Sequence, residues 1–199
     1  MNNYTVFLDL DGVIVDWLGP TMKLAGLNPT DASTRNAVRD NPPIVDRMIG
    51  HERLIELLEK AGSDFWVNLP LLPWADLLID SLNKALPDQI CFLTSPGNWS
   101  SAASGKMIWQ EKNYPDIPIL IGTHKQLAAS DLKFLIDDDP NQYSRFIQMG
   151  GQGWLWPNQY VLEDLGSERC EDMIKNMLLH ITQQKTKALL NRQSTNWTM

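Results

Sequence analysis

Three short apolar runs of the sequence each end in acidic or hydroxyl-bearing residues. The endings are Asp9-Leu10-Asp11-Gly12, Thr94-Ser95 and Asp137-Asp138. Residues two apart on an extended strand face the same side, so Asp9 and Asp11 are expected to lie together. In an open parallel sheet, ligands bind outside the carboxyl ends of the strands, which predicts that all three endings meet at one edge.

Carboxylates gathered at one edge of a sheet need a cation. The acids in question are Asp9, Asp11, Asp137 and Asp138, which repel one another unless positive charge is nearby. Hard oxygen ligands favour Mg²⁺, which proteins usually hold through one or two carboxylates together with substrate phosphate and water. We therefore expect a Mg²⁺ site whose ligands come from these residues.

The other polar residues near the endings suit a phosphate ester. Thr94 and Ser95 offer hydroxyls and backbone N–H groups at a strand-to-helix turn, where an anion is favoured. A lysine should neutralise the phosphoryl oxygens, and Lys106 and Lys125 are both candidates. One member of the first acidic pair can then attack phosphorus, while the other transfers the proton of the leaving group.

Apolar and helical patterns alternate along most of the chain, which predicts a parallel α/β sheet. Short continuous apolar runs are typical of strands that are buried on both faces. The predicted strands are Val6–Leu8, Ile90–Leu93, Ile117–Ile121, Phe134–Ile136 and Trp154–Trp156, and the predicted helices are 74–85, 106–112 and one capped by Ser167. The polar tail from Thr182 is expected to fray.

Residues 16–73 differ in character because prolines interrupt their helical stretches. The clearest helix is predicted over residues 46–60, with Gly62 as its stop. We therefore predict a catalytic core formed by residues 1–15 and 74–199. A small helical cap, formed by residues 16–73, is inserted after the first strand.

The composition excludes several classes of protein. The 199 residues include 17 Lys and Arg against 24 Asp and Glu, and no basic run forms a patch. Because binding to long nucleic acids depends on clustered cations, a polymeric partner is not expected. No apolar run approaches the roughly 20 residues that cross a bilayer. Two distant cysteines, Cys91 and Cys170, and the lack of a basic leader before an apolar stretch lead us to expect a cytoplasmic protein.

Each ending, considered alone, could be an ordinary turn or an acidic loop. A calcium loop beginning at Asp9 would need a glutamate at its twelfth position, which is Pro20. A phosphate-binding loop ending at Lys106 would need a glycine where Ser100 stands and a hydroxyl where Met107 stands. The order of the three endings, each after an apolar run, favours a joint functional site.

The ordered motifs resemble those of haloacid-dehalogenase-like (HAD) phosphohydrolases. They are Val6–Val13, Leu93–Ser95, Lys125 and Leu135–Asp138, and the likeness extends over residues 4–142. Within that superfamily the chain is similar to the 5′(3′)-deoxyribonucleotidases. The residues that carry this finer likeness are Asp16-Trp17, Phe65-Trp66, Leu69–Pro73, Thr94-Ser95-Pro96, Lys106–Lys112 and Leu135–Pro140.

The resemblance implies a Rossmann-like HAD core with a helical cap, and Mg²⁺-dependent hydrolysis of phosphate monoesters. Asp9 would be the nucleophile that forms an aspartyl-phosphate, and Asp11 would be the general acid that later activates water. The metal ligands would be the Asp9 carboxylate, the Asp11 backbone carbonyl and Asp138, with Asp137 as the less favoured partner. The phosphate would be bound by Thr94, Ser95 and Lys125.

The chain departs from the family pattern at several positions that bear on the substrate. Thr123-His124 stands where an Arg-Asp pair is usual, Asp139 where an arginine is common, and Trp74 where a glycine is expected. The segment 18–41 shows little likeness to the relatives. The chemistry is therefore better defined than the substrate.

Three aromatic residues are candidates for contact with a nucleotide base, namely Trp17, Phe65 and Trp66. Aromatic faces stack on bases in single-strand binders. The alternative role of these residues is packing between the cap and the core.

We expect a small phosphate monoester as the substrate, and the leading hypothesis is a nucleoside monophosphate. A sugar phosphate or another small metabolite is the first alternative, because the cap sets specificity and is the least family-like segment. The second alternative is a non-catalytic binding or assembly protein on the same fold, against which the intact acids and lysines argue. The sequence leaves open whether the chain forms a homodimer.

Overall fold

Five parallel strands form the centre of the fold. In the computed structural model, which describes residues 4–40 and 44–195, they are β1 (Thr5–Leu8), β2 (Ile90–Thr94), β3 (Ile119–Ile121), β4 (Lys133–Asp137) and β5 (Gln152–Leu155). Their order in the sheet is β3-β2-β1-β4-β5, and each neighbouring pair is parallel. The predicted parallel α/β sheet is confirmed, and the strand order reverses at β1, which is where such sheets bind ligands.

Helices connect the strands. Between β1 and β2 lie α1 (Leu18–Leu24), α2 (Ala32–Asp40), α3 (Ile44–Ile49), α4 (His51–Val67) and α5 (Ala75–Ala85). After β2 come α6 (Ala102–Asn113), a 3₁₀ turn (Lys125–Ala128), α7 (Pro140–Gln148), α8 (Gln159–Leu165) and α9 (Ser167–Thr195). Among the described residues, no helix combines the length and the apolar character needed to cross a membrane.

The central strand is buried on both faces. Val6 and Leu8 pack in the larger hydrophobic cluster, whereas Phe7 packs in a smaller cluster with Leu135 and Phe146. Because neither face meets water, apolar residues follow one another without polar alternation. This is the physical reason that the short apolar runs predicted β1, β2 and β4 closely. At the edges of the sheet the prediction was less accurate, because the strand predicted over residues 117–121 begins two residues before β3 and the strand predicted over Trp154–Trp156 shares only Trp154 and Leu155 with β5.

Two helices of the segment between β1 and α5 pack against helices of the rest of the molecule. α2 lies against α8, where Arg35 forms an ion pair with Glu163 at 2.8 Å and its guanidinium lies 4.4 Å from the centre of the Tyr160 ring. α4 lies against α6. The helices of this segment agree with the helical content predicted for residues 16–73, of which residues 41–43 lie outside the described part.

The helix predicted over residues 46–60 is in fact two helices. Gly50 separates α3 from α4 with a φ of 87°, a conformation that glycine adopts readily. The predicted stop at Gly62 is a kink with φ 67° and ψ −162°, after which helical residues continue to Val67. A glycine marks an interruption in a helical pattern, but the sequence does not show whether the helix resumes after it.

The C-terminal segment continues as a helix past the point where fraying is predicted. α9 extends to Thr195, and both Ile181 and Ala188 are buried. These residues are seven apart, so they fall on the same inward face of the helix. The prediction of a frayed tail from Thr182 is therefore wrong over the described residues.

We expect Gly105→Ala to destabilise the protein by about 1–3 kcal/mol, the usual range for overpacking. A Cβ at this position of α6 would overlap Trp66 and would lie 2.9 Å from the backbone oxygen of Ser63, so α4 would have to move. Chemical denaturation measures the change. The matched control is Gly122→Ala, whose Cβ would meet no atom within 4 Å. Equal stability of the two variants would contradict the close approach of α4 and α6.

Candidate active site

The first acidic pair lies where β1 ends. The backbone N–H of Asp9 donates to the carbonyl oxygen of Ile136 at 3.0 Å, which holds Asp9 between β1 and β4. The chain then turns, and Gly12 has a φ of 77°. A Cβ at Gly12 would overlap the carboxylate of Asp138, so the glycine allows that carboxylate to approach the turn. The endings of β1 and β4 therefore meet, as predicted.

A buried lysine joins the carboxylates of the two strands. The Lys125 ammonium lies 2.8 Å from Asp9 Oδ1 and 2.7 Å from Asp137 Oδ2, and its side chain is 2% exposed. Asp137 Oδ1 accepts the backbone N–H of Asp139 at 2.9 Å, so both oxygens of Asp137 have partners. Burial alone would lower the pKa of Lys125, but the charges of Asp9 and Asp137 raise it above its ordinary value.

A second buried lysine joins β1 to β2. The Lys106 ammonium donates to Asp11 Oδ2 at 2.5 Å, to Thr94 Oγ1 at 3.1 Å and to the backbone oxygen of Ser95 at 2.6 Å. Its side chain is 3% exposed. The sequence leaves the choice between Lys106 and Lys125 open, and the structure brings both lysines to the site, each beside a different aspartate.

The carboxylates form a group that could hold a metal ion. One oxygen from each of Asp9, Asp137 and Asp138 lies within 4.8 Å of the others. Asp11 Oδ1 is buried and has no hydrogen-bond partner among the described residues. All of these donors are oxygen atoms, which suits Mg²⁺. Because the partners of Asp137 already occupy its two oxygens, Asp9 and Asp138 are the better carboxylate ligands.

Burial and repulsion raise the pKa values of these acids. The pKa of Asp138 is well above its ordinary value, because its carboxyl is buried and because Asp9 and Asp137 lie near it. For Asp137, burial and the charge of Asp9 raise the pKa to about 7, against the opposing effect of Lys125. Burial also raises the pKa of Asp11. A divalent cation would stabilise the ionised forms, so the residues fit such an ion.

A cavity of about 260 Å³ opens over these groups. Its wall contains the predicted site residues Asp9, Asp11, Ser95 and Asp138. Trp17, the first of the predicted base-contact residues, also lines it. Three of the four predicted acids, one of the two predicted hydroxyl residues and one of the three aromatic candidates therefore share one concave site, whereas Asp137, Thr94 and Lys125 are buried and do not belong to its wall.

The other two predicted base-contact residues lie elsewhere. Trp66 is 1% exposed, and neither Trp66 nor Phe65 belongs to the wall of the cavity. The two rings pack edge to face with their centres 5.2 Å apart. Trp66 belongs to the larger hydrophobic cluster and lies against α6 at Gly105, and Phe65 packs against the same cluster, which agrees with the alternative of packing between the cap and the core.

Sequence reasoning missed several residues at the site, among them Trp99, Asn158 and Gln159. Trp99 lines the cavity, and its ring centre lies 6.2 Å from that of Trp17. Asn158 lines the cavity as well. Gln159, which is 2% exposed, donates to Asp16 Oδ1 at 3.0 Å and ties α8 to the residue before Trp17. Only Trp99 had a signal in the sequence, namely its position shortly after Thr94-Ser95.

Comparisons with known proteins give likenesses of fold only. No family model matches the chain, and no curated protein matches it. Among solved structures, the chain is similar to a HAD family hydrolase from Deinococcus radiodurans R1, solved with bound phosphate and sodium, at 14% identity and a TM-score of 0.48, covering 77% of this chain and 80% of that one. It is also similar to a HAD-superfamily hydrolase from Ehrlichia chaffeensis at 16% identity and a TM-score of 0.44, covering 90% and 98%.

A third similar structure is the magnesium complex of a HAD family enzyme from Bacteroides thetaiotaomicron, at 13% identity and a TM-score of 0.41, covering 79% of this chain and 95% of that one. All three sequence identities are below 25%, and all three TM-scores are below 0.5. The functional proposal below therefore rests on the geometry of the site.

Without a divalent cation, we expect the free energy of unfolding to fall as pH rises from about 4 to 7. The pKa of Asp137 is about 7 in the folded chain, and that of Asp138 is also raised, so the folded state binds more protons than the unfolded state in this interval. Thermal denaturation in EDTA measures the slope. Excess Mg²⁺ should restore stability at pH 8 by binding only the folded state.

Asp138→Asn is the informative variant, because it removes one of the crowded charges at constant shape. We expect it to melt at a higher temperature than the wild type in EDTA at pH 8, and to lose the stabilisation by Mg²⁺. Asp172→Asn, at an exposed position, should behave as the wild type. Full Mg²⁺ stabilisation of Asp138→Asn would exclude Asp138 as a ligand.

Proposed function

We propose that this protein is a Mg²⁺-dependent phosphomonoesterase of the HAD type. The observation that supports the proposal is the meeting of Asp9, Asp11 and Asp138 with two buried lysines at the carboxyl ends of three neighbouring strands. A structural role alone does not require carboxylates to crowd in this way, because they repel one another without a cation.

Asp9 is the proposed nucleophile. One of its oxygens forms a bond to phosphorus as the bond from phosphorus to the leaving oxygen breaks, which gives an aspartyl-phosphate and a free alcohol. The ion pair with Lys125 at 2.8 Å holds the Asp9 carboxylate in place. Thr94, Ser95 and Lys125 are proposed to bind the phosphoryl oxygens, since they supply hydroxyl, backbone N–H and ammonium donors at one edge of the sheet.

Asp11 is the proposed general acid and base. It gives its proton to the leaving oxygen, and it then takes a proton from the water that hydrolyses the aspartyl-phosphate and regenerates Asp9. The raised pKa of Asp11, which is caused by burial, suits a carboxyl that must carry a proton. Asp9 and Asp11 can thus perform different tasks although they are two residues apart.

The proposed metal ligands are the carboxylates of Asp9 and Asp138 and the backbone carbonyl of Asp11. When bound, Mg²⁺ would supply positive charge to the phosphoryl oxygens. Asp137 remains the less favoured ligand, because it accepts from Lys125 and from the backbone of Asp139. Its proposed role is to hold Lys125 in position.

The proposed substrate is a nucleoside monophosphate, as in 5′(3′)-deoxyribonucleotidases. Trp17 lines the cavity and offers an aromatic face to a base. Neither Lys nor Arg belongs to the described wall of the cavity, and the two lysines that contact its acids, Lys106 and Lys125, are buried and paired, so a second phosphate group would find no further cation there. Both observations favour a single phosphate on an organic group.

We propose further that residues 16–73 act as a cap over the site, and that the protein is cytoplasmic. Trp17 and Leu18 of this segment line the cavity, which gives the segment a direct effect on the choice of substrate.

Cys91 and Cys170 are both buried and unpaired, as expected of a chain kept in a reducing compartment.

We expect wild-type protein to release phosphate from dUMP or dTMP in a Mg²⁺-dependent manner, and Asp9→Asn to lose at least about 10³-fold in kcat because the nucleophile is absent. Asp172→Asn is the surface control. Phosphate release is measured over a panel that also contains sugar phosphates. Release from sugar phosphates alone would favour the metabolite phosphatase, and no release from any ester would exclude the proposed reaction.

Trp17→Ala should raise KM for nucleotides by about 5- to 150-fold, which corresponds to the loss of roughly 1–3 kcal/mol of stacking. KM for a small phosphate ester without an aromatic group should change less than about twofold, because it has no base to stack. Steady-state kinetics on both kinds of ester separate the two effects. An equal rise in both KM values would show that Trp17 supports the site and does not contact a base.

A further inference from the structure

The two buried lysines differ in how many of their N–H donors are already used. A lysine ammonium has three N–H donors. Lys106 has three oxygen partners, which are Asp11, Thr94 and the backbone oxygen of Ser95. Lys125 has two among the described residues, which are Asp9 and Asp137. Lys125 therefore keeps a donor for a phosphoryl oxygen, whereas Lys106 is occupied in holding Asp11.

An aromatic ring covers Lys106. Its ammonium nitrogen lies 5.3 Å from the centre of the Trp66 ring, within the distance of a cation–π interaction. The Lys106 side chain is 3% exposed and Trp66 is 1% exposed, so water does not compete at this contact. Exclusion of water strengthens the attraction between a cation and an aromatic face.

Gly105 allows this contact. A side chain at position 105 would overlap Trp66, so α4 can approach α6 only because the residue before Lys106 is a glycine. The Trp66 indole nitrogen is buried and has no hydrogen-bond partner among the described residues. Polar bonding of the indole therefore does not explain the position of this tryptophan, which packs in the larger hydrophobic cluster with its face toward the ammonium.

We infer that Trp66 is a positioning residue for the proposed phosphatase reaction. Its indole face holds the Lys106 ammonium against Asp11 and Thr94, and the ammonium fixes the carboxyl that transfers protons. A lysine side chain is long and flexible, so the three oxygen partners gain from a fourth contact that limits its movement. The inference rests on the proposed function, since it concerns the role of Asp11 in that reaction.

A double-mutant cycle tests the inference. The variants are Trp66→Leu, Lys106→Met and the double variant, with Trp66→Phe as the conservative change. Trp156→Leu is the matched control, because Trp156 is also 1% exposed and its indole nitrogen also has no partner among the described residues. For each variant, kcat and KM are measured on the best ester of the panel, and the free energy of unfolding is measured by denaturation.

We expect Trp66→Leu to lower kcat by about 2- to 30-fold, the range given by typical cation–π energies, with KM changed less than about twofold. Trp66→Phe should recover most of kcat, because it keeps an aromatic face. In the Lys106→Met background, Trp66→Leu should have little further effect on kcat, and it should lower the free energy of unfolding by less than it does in the wild-type background, because only the packing part of its contact remains to be lost. Trp156→Leu should lower stability and leave kcat within about twofold of the wild type.

Additive effects of Trp66→Leu and Lys106→Met on the free energy of unfolding would overturn the inference, and this result is readable even if Lys106→Met is inactive. A large rise in KM for Trp66→Leu would also overturn it, because that result indicates contact with substrate. If the wild type is active and the two substitutions have additive effects on the free energy of unfolding, the positioning role of Trp66 fails and the proposed function stands. If the wild type hydrolyses no ester, the proposed function fails and the positioning role fails with it.

Discussion

Four carboxylates meet where β1 and β4 end, and the rest of the site depends on how their charges are offset. Lys106 and Lys125 supply two positive charges, so two negative charges remain when all the acids are ionised. That remainder is the charge which a divalent cation offsets. The pKa values of Asp11, Asp137 and Asp138 are raised for the same reason. Burial and the repulsion between carboxylates favour the protonated form of each acid when no cation offsets the negative charge.

Buried lysines must be supported by the fold, because an ammonium group loses its hydration when it leaves water. Lys125 comes from the 3₁₀ turn and lies between two carboxylates. Lys106 comes from α6, and the close approach of α4 at Gly105 places an aromatic ring over it. The inserted helices thus do more than line a cavity, because one of them forms part of the environment of a lysine in the proposed catalytic machinery.

The sequence predicted the parts of the fold that depend on the burial of short continuous segments. Continuous apolar runs predicted the three inner strands because these strands are buried on both faces, whereas the bounds of the partly exposed edge strands β3 and β5 were displaced. The rule for parallel sheets then brought Asp9, Thr94 and Asp137 to one edge. The roles of Lys106 and Lys125 could not be separated, because a lysine side chain is long and the phase of its helix relative to the sheet is set by packing. The position of Trp66 was missed for a similar reason, since an aromatic residue fits a cavity wall or a helix interface equally well by composition.

Aromatic contacts connect the wall of the cavity with the surroundings of Lys106. Trp17 on the cavity wall lies 6.2 Å from Trp99, and Trp99 lies 5.4 Å from Trp66, both measured between ring centres. Trp66 in turn covers the ammonium of Lys106, which holds Asp11. Closely packed rings cannot shift independently, because their neighbours fill the space around them. A change in the shape of the cavity wall would therefore disturb the packing around Lys106, so the proposed cap and the proposed proton-transferring carboxyl share one connected set of contacts.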